Sequence, residues 1–151
     1  MNQEYPKAVE YPKAEVSKRI TAGLIDAGVF IVLYLIIRFW IFLPDYWAFL
    51  IASVYILLRD ALFQGQSIGK RIIRLKVVNR ETQKVATYRD SIKRNVIFFI
   101  PNLLRFIPAL GGLLGLAVLI LEGYFISSDE KGFRWGDNFA KTQVVEESVA
   151  V

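Results

Sequence analysis

The sequence predicts an all-α integral membrane protein with three spans, or with four short or re-entrant segments. It adds a small cytoplasmic β-hairpin between spans 2 and 3 and an interfacial amphipathic helix. Three observations carry this. Apolar residues make up 54% of the 151 positions, at a mean hydropathy of +0.38. The charges, a net +5, are clustered between apolar runs. The first apolar run, Ile20 to Phe42, has 23 residues and only two ionisable groups, Asp26 and Arg38. At a helical rise of about 1.5 Å per residue, such a run crosses a hydrocarbon layer of roughly 30 Å.

Residues 1–18 read as a polar, flexible N-terminal tail. They carry a short repeat, Glu4-Tyr5-Pro6-Lys7-Ala8 and Glu10-Tyr11-Pro12-Lys13-Ala14, whose prolines disfavour a continuous helix. The first span begins too late and runs too long for a signal sequence and lacks a small-x-small cleavage site, so it reads as a retained anchor. Leu43-Pro44-Asp45-Tyr46-Trp47 is a short turn, with Trp40, Tyr46 and Trp47 where an interfacial aromatic belt would lie. The second span runs from about Trp47 to Phe63, antiparallel to the first.

Residues 64–95 carry nine basic side chains against Glu81 and Asp90. The positive-inside rule places this loop, and with it the N-terminus, in the cytoplasm. Ile73, Leu75 and Val77 alternate with Arg74, Lys76 and Val78, a strand pattern. Lys84 to Tyr88 is the expected return strand. From Tyr88 a helix with a basic start and an apolar continuation predicts an interfacial segment. Residues 95–127 then allow two arrangements. One is an interfacial helix followed by a third span, which puts the C-terminus outside. The other is a hairpin broken at Pro101, which puts it inside. The tail contains a strand-like run, Thr142-Gln143-Val144-Val145.

A carboxylate in lipid is costly and calls for an interior position and a partner. Asp26 stands two helical turns after Arg19, and the antiparallel second span brings Arg59 and Asp60 to the same end. Arg19, Asp26, Arg59 and Asp60 thus form a candidate intramembrane polar site, read either as an ion-pair cluster fixing helix packing or as a cation, proton or ligand site around Asp26. Lys70, Arg71 and Arg74 are expected at anionic headgroups, each contributing about 1 kcal/mol near the surface.

With no Cys and no His, disulfides, thiolate nucleophiles, the commonest metal ligands and the commonest general base are absent. No catalytic constellation, metal site or cofactor is expected, and an enzyme is disfavoured. Gly65-Gln66-Ser67-Ile68-Gly69-Lys70-Arg71 fails as a nucleotide loop, because its glycines are one position too close and Arg71 replaces the required hydroxyl. The basic loop is read as a topology signal instead of a nucleic-acid surface.

Four fragments in order resemble the RDD family of small multi-spanning membrane proteins, named for one arginine and two aspartates. They are Arg19 to Asp26, Gly65 to Val78, Arg94-Asn95, and Gly136-Asp137 with Ala140 and Thr142-Gln143-Val144. The resemblance covers Lys18 to Val145, giving an RDD-like transmembrane domain at 19–145 and a C-terminal tail at 146–151. It makes Arg19, Asp26 and Asp137 the signature residues, with Asp60 the alternative for the last. One departure is Lys141, where a glycine is common. The resemblance implies a small multi-spanning integral membrane protein linked with moving or binding unidentified ligands, and the cell inner membrane is the expected location. Two functional expectations follow: a transport-related protein handling an ion or small ligand near Asp26, and an accessory or assembly protein whose basic loop binds a membrane complex or anionic lipid. Expected partners are membrane lipids and a homo-oligomer or larger complex.

Overall fold

The computed structural model describes residues 11–107 and 109–149. Six α-helices and two strands occur among them: α1 (Val16–Phe39), α2 (Asp45–Leu58), α3 (Ile68–Ile73), β1 (Leu75–Asn79), α4 (Tyr88–Leu103), α5 (Leu110–Ser128), α6 (Trp135–Phe139) and β2 (Thr142–Glu146).

Helices α1 and α5 are long and apolar enough to cross a membrane, with mean hydropathies of 2.4 and 1.9. Only 11% of each apolar window is buried within the protein. A soluble core helix of that composition would bury most of it, so these faces are built to meet hydrocarbon. Helix α2 is equally apolar but has 14 residues, about 21 Å. The residue pairs Tyr34–Asp45 and Tyr55–Asp26 show that α2 runs antiparallel to α1. Ser53–Asn102 and Asp60–Asn95 show that α4 runs antiparallel to α2. Helix α4 contains Pro101 and ends in a short 3-10 turn, Leu104–Phe106, after which α5 packs back along it. The order across the bundle is α1, α2, α4, α5.

Local sequence explains the short elements. Thr87 and Asp90 form a capping box at the start of α4: Thr87 N–H donates to Asp90 at 2.8 Å and Asp90 N–H to the Thr87 hydroxyl at 3.4 Å. Ser67 caps α3, accepting from the Lys70 N–H at 3.1 Å, and Arg74 ends it in a left-handed conformation. The strand therefore starts at Leu75, and Ile73 belongs to the helix.

The sheet differs from the expected hairpin. β1 pairs antiparallel with β2, in the register Leu75↔Glu146 to Asn79↔Thr142. The expected return strand contributes a single bridge, Val78↔Val85. The return segment still touches β1, with the Ala86 N–H donating to the Val77 carbonyl at 2.9 Å and the Asn79 N–H to the Lys84 carbonyl at 2.8 Å. β2 supplies the full-length partner, and its Val144 and Val145 are buried with Leu75, Val77 and Val78. The pairing puts the tail beside the loop, at the end where α1 begins.

Residues 11–15 also lie against this unit. Tyr11 packs with Val78 and Val145, Gln143 donates its side-chain amide to the Tyr11 carbonyl at 3.0 Å, and Lys13 donates to the Asp129 carbonyl at 2.9 Å. The first copy of the N-terminal repeat lies outside the described residues.

Candidate functional site

A buried ionic network occupies the end of the bundle where the loop and tail meet. Its hub is Arg94, itself 1% exposed. Arg94 Nη2 lies 2.8 Å from Asp137 Oδ1, and its Nε lies 3.0 Å from Asp60 Oδ2, as a charge contact without hydrogen-bond alignment. Asp60, just past α2, also receives Lys70 Nζ at 2.5 Å and the Asn95 side-chain amide at 2.9 Å. Asp137 also meets Arg19 at 2.7 Å and Arg134 at 3.0 Å. Arg134 Nη2 donates to Asn95 Oδ1 at 3.0 Å and stands 3.6 Å from Glu122.

The chain segments supply these groups for identifiable reasons. Asp137 sits in the first turn of α6, whose backbone N–H groups favour a carboxylate. Gly136 lets α6 approach α4: a Cβ there would strike the Arg94 carbonyl. Gly69 does the same for α3 against the Ala22 carbonyl of α1. The close approach places the Gly69 N–H 2.8 Å from Asp26 Oδ1.

Asp26 is fully occupied. It accepts from the Gly69 N–H, from Tyr55 at 2.8 Å and from Ser67 at 2.7 Å, with Arg59 at 3.7 Å. It thus fastens α3 and α2 to α1. Arg19 and Asp26, which share a face of α1, do not pair. Arg19 turns to Asp137 and the Gly132 carbonyl at the mouth of the bundle. About 10 Å of helix separates the two positions, enough to engage different neighbours.

The electrostatics follow from burial and charge. Burial alone would raise the Asp60 carboxyl. Lys70, Arg94, Arg59 and Arg134 together outweigh it and hold Asp60 well below the ordinary range. Asp137 is lowered too: burial opposes, but Arg94, Arg134 and Arg19 prevail. Burial lowers Lys70 to about 8, although Asp60 partly restores it. Arg134 is raised despite burial, by Asp137 and Glu122.

The expected polar site thus gathers Asp60 and Asp137, with Arg19, through Arg94, while Asp26 and Arg59 form an adjoining branch. Lys70 faces inward to Asp60. Arg71 and Arg74 are exposed at the surface, Arg71 over the Phe63 ring at 4.7 Å. Arg94, Asn95, Arg134, Tyr55 and Ser67 complete the network and were not in the expected site. Arg94-Asn95 was visible as a family fragment, and Glu122 as a lone acid in an apolar run. Arg134 had no local signal.

Beside the network lies a cavity of about 500 Å³. Helices α1 and α5 form its sides, with Ile56, Arg59 and Phe98 behind them. Its walls are apolar (Ile20, Leu24, Phe30, Leu119), and Arg19, Asp26, Arg59, Glu122 and Arg134 reach it from the network.

Lys141, the departure from the resemblance, adopts a left-handed φ of 54° immediately before β2. That is the conformation a glycine there would take without strain. The Lys141 side chain pairs with Glu81 across the loop.

The family model described as the RDD family matches residues 13–141. Comparison with curated proteins and with solved structures returned no match. The matched span takes in every residue of the network, and the chain belongs to the RDD family of membrane proteins.

Proposed function

We propose that this protein handles a small ion or ligand, in a transport-related role, in the cavity between α1 and α5. The observation that carries the reading is the cavity itself. A space of about 500 Å³ lies in the size range of ligand sites, with apolar walls and a few convergent charges. The network beside it supplies a rigid charged floor. In this reading α1, α2, α4 and α5 cross or enter the membrane in turn, the loop and both termini face the cytoplasm, and the membrane is the cell inner membrane. Asp26 serves as a positioning residue and Glu122 is the carboxylate available to a ligand.

Flux of Na⁺, K⁺ and H⁺ into proteoliposomes tests it. Wild type is expected to exceed empty vesicles for at least one ion, and Leu119→Trp, which fills the cavity, is expected to abolish the excess. Wild-type flux equal to that of empty vesicles for all three would contradict the ion form of the reading.

A second reading keeps the loop as the working surface. Exposed Arg71 and Arg74 line a recess with Phe63 and Lys76, supporting an accessory role at anionic lipid or a membrane complex. Arg71→Glu with Arg74→Glu would weaken binding to anionic vesicles under this reading and leave ion flux unchanged.

A further inference from the structure

The polar end of the cavity carries two buried atoms that lack hydrogen-bond partners, and they have opposite charge. Arg59 Nε is one; Glu122 Oε2 is the other. Arg59 is weakly held altogether: its Nη1 is 3.7 Å from Asp26 and its Nη2 is 3.5 Å from Asn95 Oδ1. Glu122 has the Gly136 N–H at 3.3 Å on its other oxygen, and Arg134 Nε 3.6 Å from Oε2. The remaining charged groups that reach the cavity are better satisfied. Asp26 accepts three hydrogen bonds, and Arg19 and Arg134 are both engaged by Asp137. Because Asn95 Oδ1 accepts from both Arg59 and Arg134, the Arg59 edge that lacks a hydrogen bond and the Glu122 oxygen that has only its charge contact with Arg134 both adjoin that side chain.

A buried donor and a buried acceptor that lack hydrogen bonds are each costly, and a ligand that hydrogen-bonds both removes both costs. The complement is a group carrying an anion and an N–H-bearing cation a few atoms apart. The rest of the cavity says what that group is attached to. Ile20, Leu24 and Leu119 line it and are themselves 56%, 69% and 62% exposed, so its mouth opens through the apolar surface of α1 and α5. The charged groups lie toward the loop end of those helices, and Phe30 lies deeper. That is the disposition of a lipid, headgroup at the interface and chains inward.

We infer that the cavity binds a phospholipid with a primary-amine headgroup, its phosphate against Arg59 and its ammonium against Glu122. The inference rests on the reading of this cavity as the ligand site and names the ligand class. Phosphatidylethanolamine has both groups. Phosphatidylglycerol has the phosphate without the cation. Phosphatidylcholine has a cation that cannot donate an N–H.

The test is native mass spectrometry of the full-length protein in mild detergent, with the three dioleoyl lipids supplied in equal amounts. Phosphatidylethanolamine is expected to be retained about tenfold or more over either competitor, the effect of one charge-assisted hydrogen bond. Glu122→Gln is expected to erase that preference while retaining phosphatidylglycerol. Leu119→Trp, which leaves the charged groups intact, is expected to lower retention of all three. Equal retention by wild type, or any other lipid ranked first, overturns the inference. So does a preference that survives Glu122→Gln, or displacement by water-soluble glycerophosphoethanolamine at equal concentration. Ion flux without lipid preference would sink this inference and spare the functional reading. Lipid preference without flux would do the reverse for its ion form.

Discussion

Asp60 and Asp137 stand 77 positions apart in the chain, and one guanidinium, that of Arg94, contacts both. Both carboxylates are fully buried, so each depends on its cations for solvation. Arg94 thereby links the end of α2 to the tail. A planar fork reaches two carboxylates at once, whereas an ammonium is a single compact charge. Arg94→Lys is expected to destabilise the protein by about 2–4 kcal/mol, close to the cost of breaking a buried pair. Thermal or SDS unfolding in detergent would measure it. A change below about 0.5 kcal/mol, the size typical of an ordinary surface substitution, would show that the bridge contributes little.

The same carboxylates set the response to acid. Both are lowered in the folded state, so they bind protons less readily there than when unfolded, and their contribution is fully present above the ordinary value of 3.8. Stability is expected to hold from neutral pH down to about pH 4 and then to fall as the pH drops toward the folded values. Unfolding midpoints from pH 7 to pH 3 would check this. A steep loss already complete by pH 5 would point to a different group.

Lys70 moves the other way along the scale. Its lowered value of about 8 means that the folded state releases this proton before the unfolded state does. This group's contribution to stability therefore rises as the pH climbs from about 8 toward 10.5. Reductive ¹³C-methylation with NMR titration is expected to show one lysine with a midpoint near 8, absent in Lys70→Arg. A lysine titration set confined to the ordinary range would contradict the burial that lowers Lys70.

Lys141→Gly tests the turn before β2. A non-glycine residue in the left-handed region costs about 1–2 kcal/mol, and glycine's greater freedom when unfolded returns part of that. The Lys141–Glu81 pair is exposed and is expected to contribute less than about 1 kcal/mol. A net stabilisation of up to about 1 kcal/mol is therefore predicted, read as a higher midpoint of unfolding. A lower midpoint would mean that the surface pair outweighs the backbone strain.

Much of the helical framework was legible because it is written locally. The 20–42 run, the Pro44 turn and the apolar stretch after Ile107 are composition signals. Asp26 and Arg59 drew notice because charge in an apolar run needs an explanation. The long-range pairings were not legible. Leu75 to Val78 reads as a strand, but its partner lies about seventy residues away, and local alternation says nothing about which apolar run will pair with it. Lys70 illustrates a second limit. In sequence it is one of several loop cations; in the structure, the Ser67 cap and the short helix α3 turn it inward onto Asp60. Arg134 gave no signal, because its role comes only from where α6 docks.

The central claim is that the basic loop and the C-terminal tail close together at one end of the helix bundle. The chain has no native Cys, so single substitutions report cleanly. The decisive measurement is labelling of Thr82→Cys and Ser128→Cys in sealed vesicles of known orientation with a membrane-impermeant maleimide. Both positions are expected to react from the same face, the cytoplasmic one. Reaction from opposite faces would contradict the β1–β2 pairing and the fold built on it.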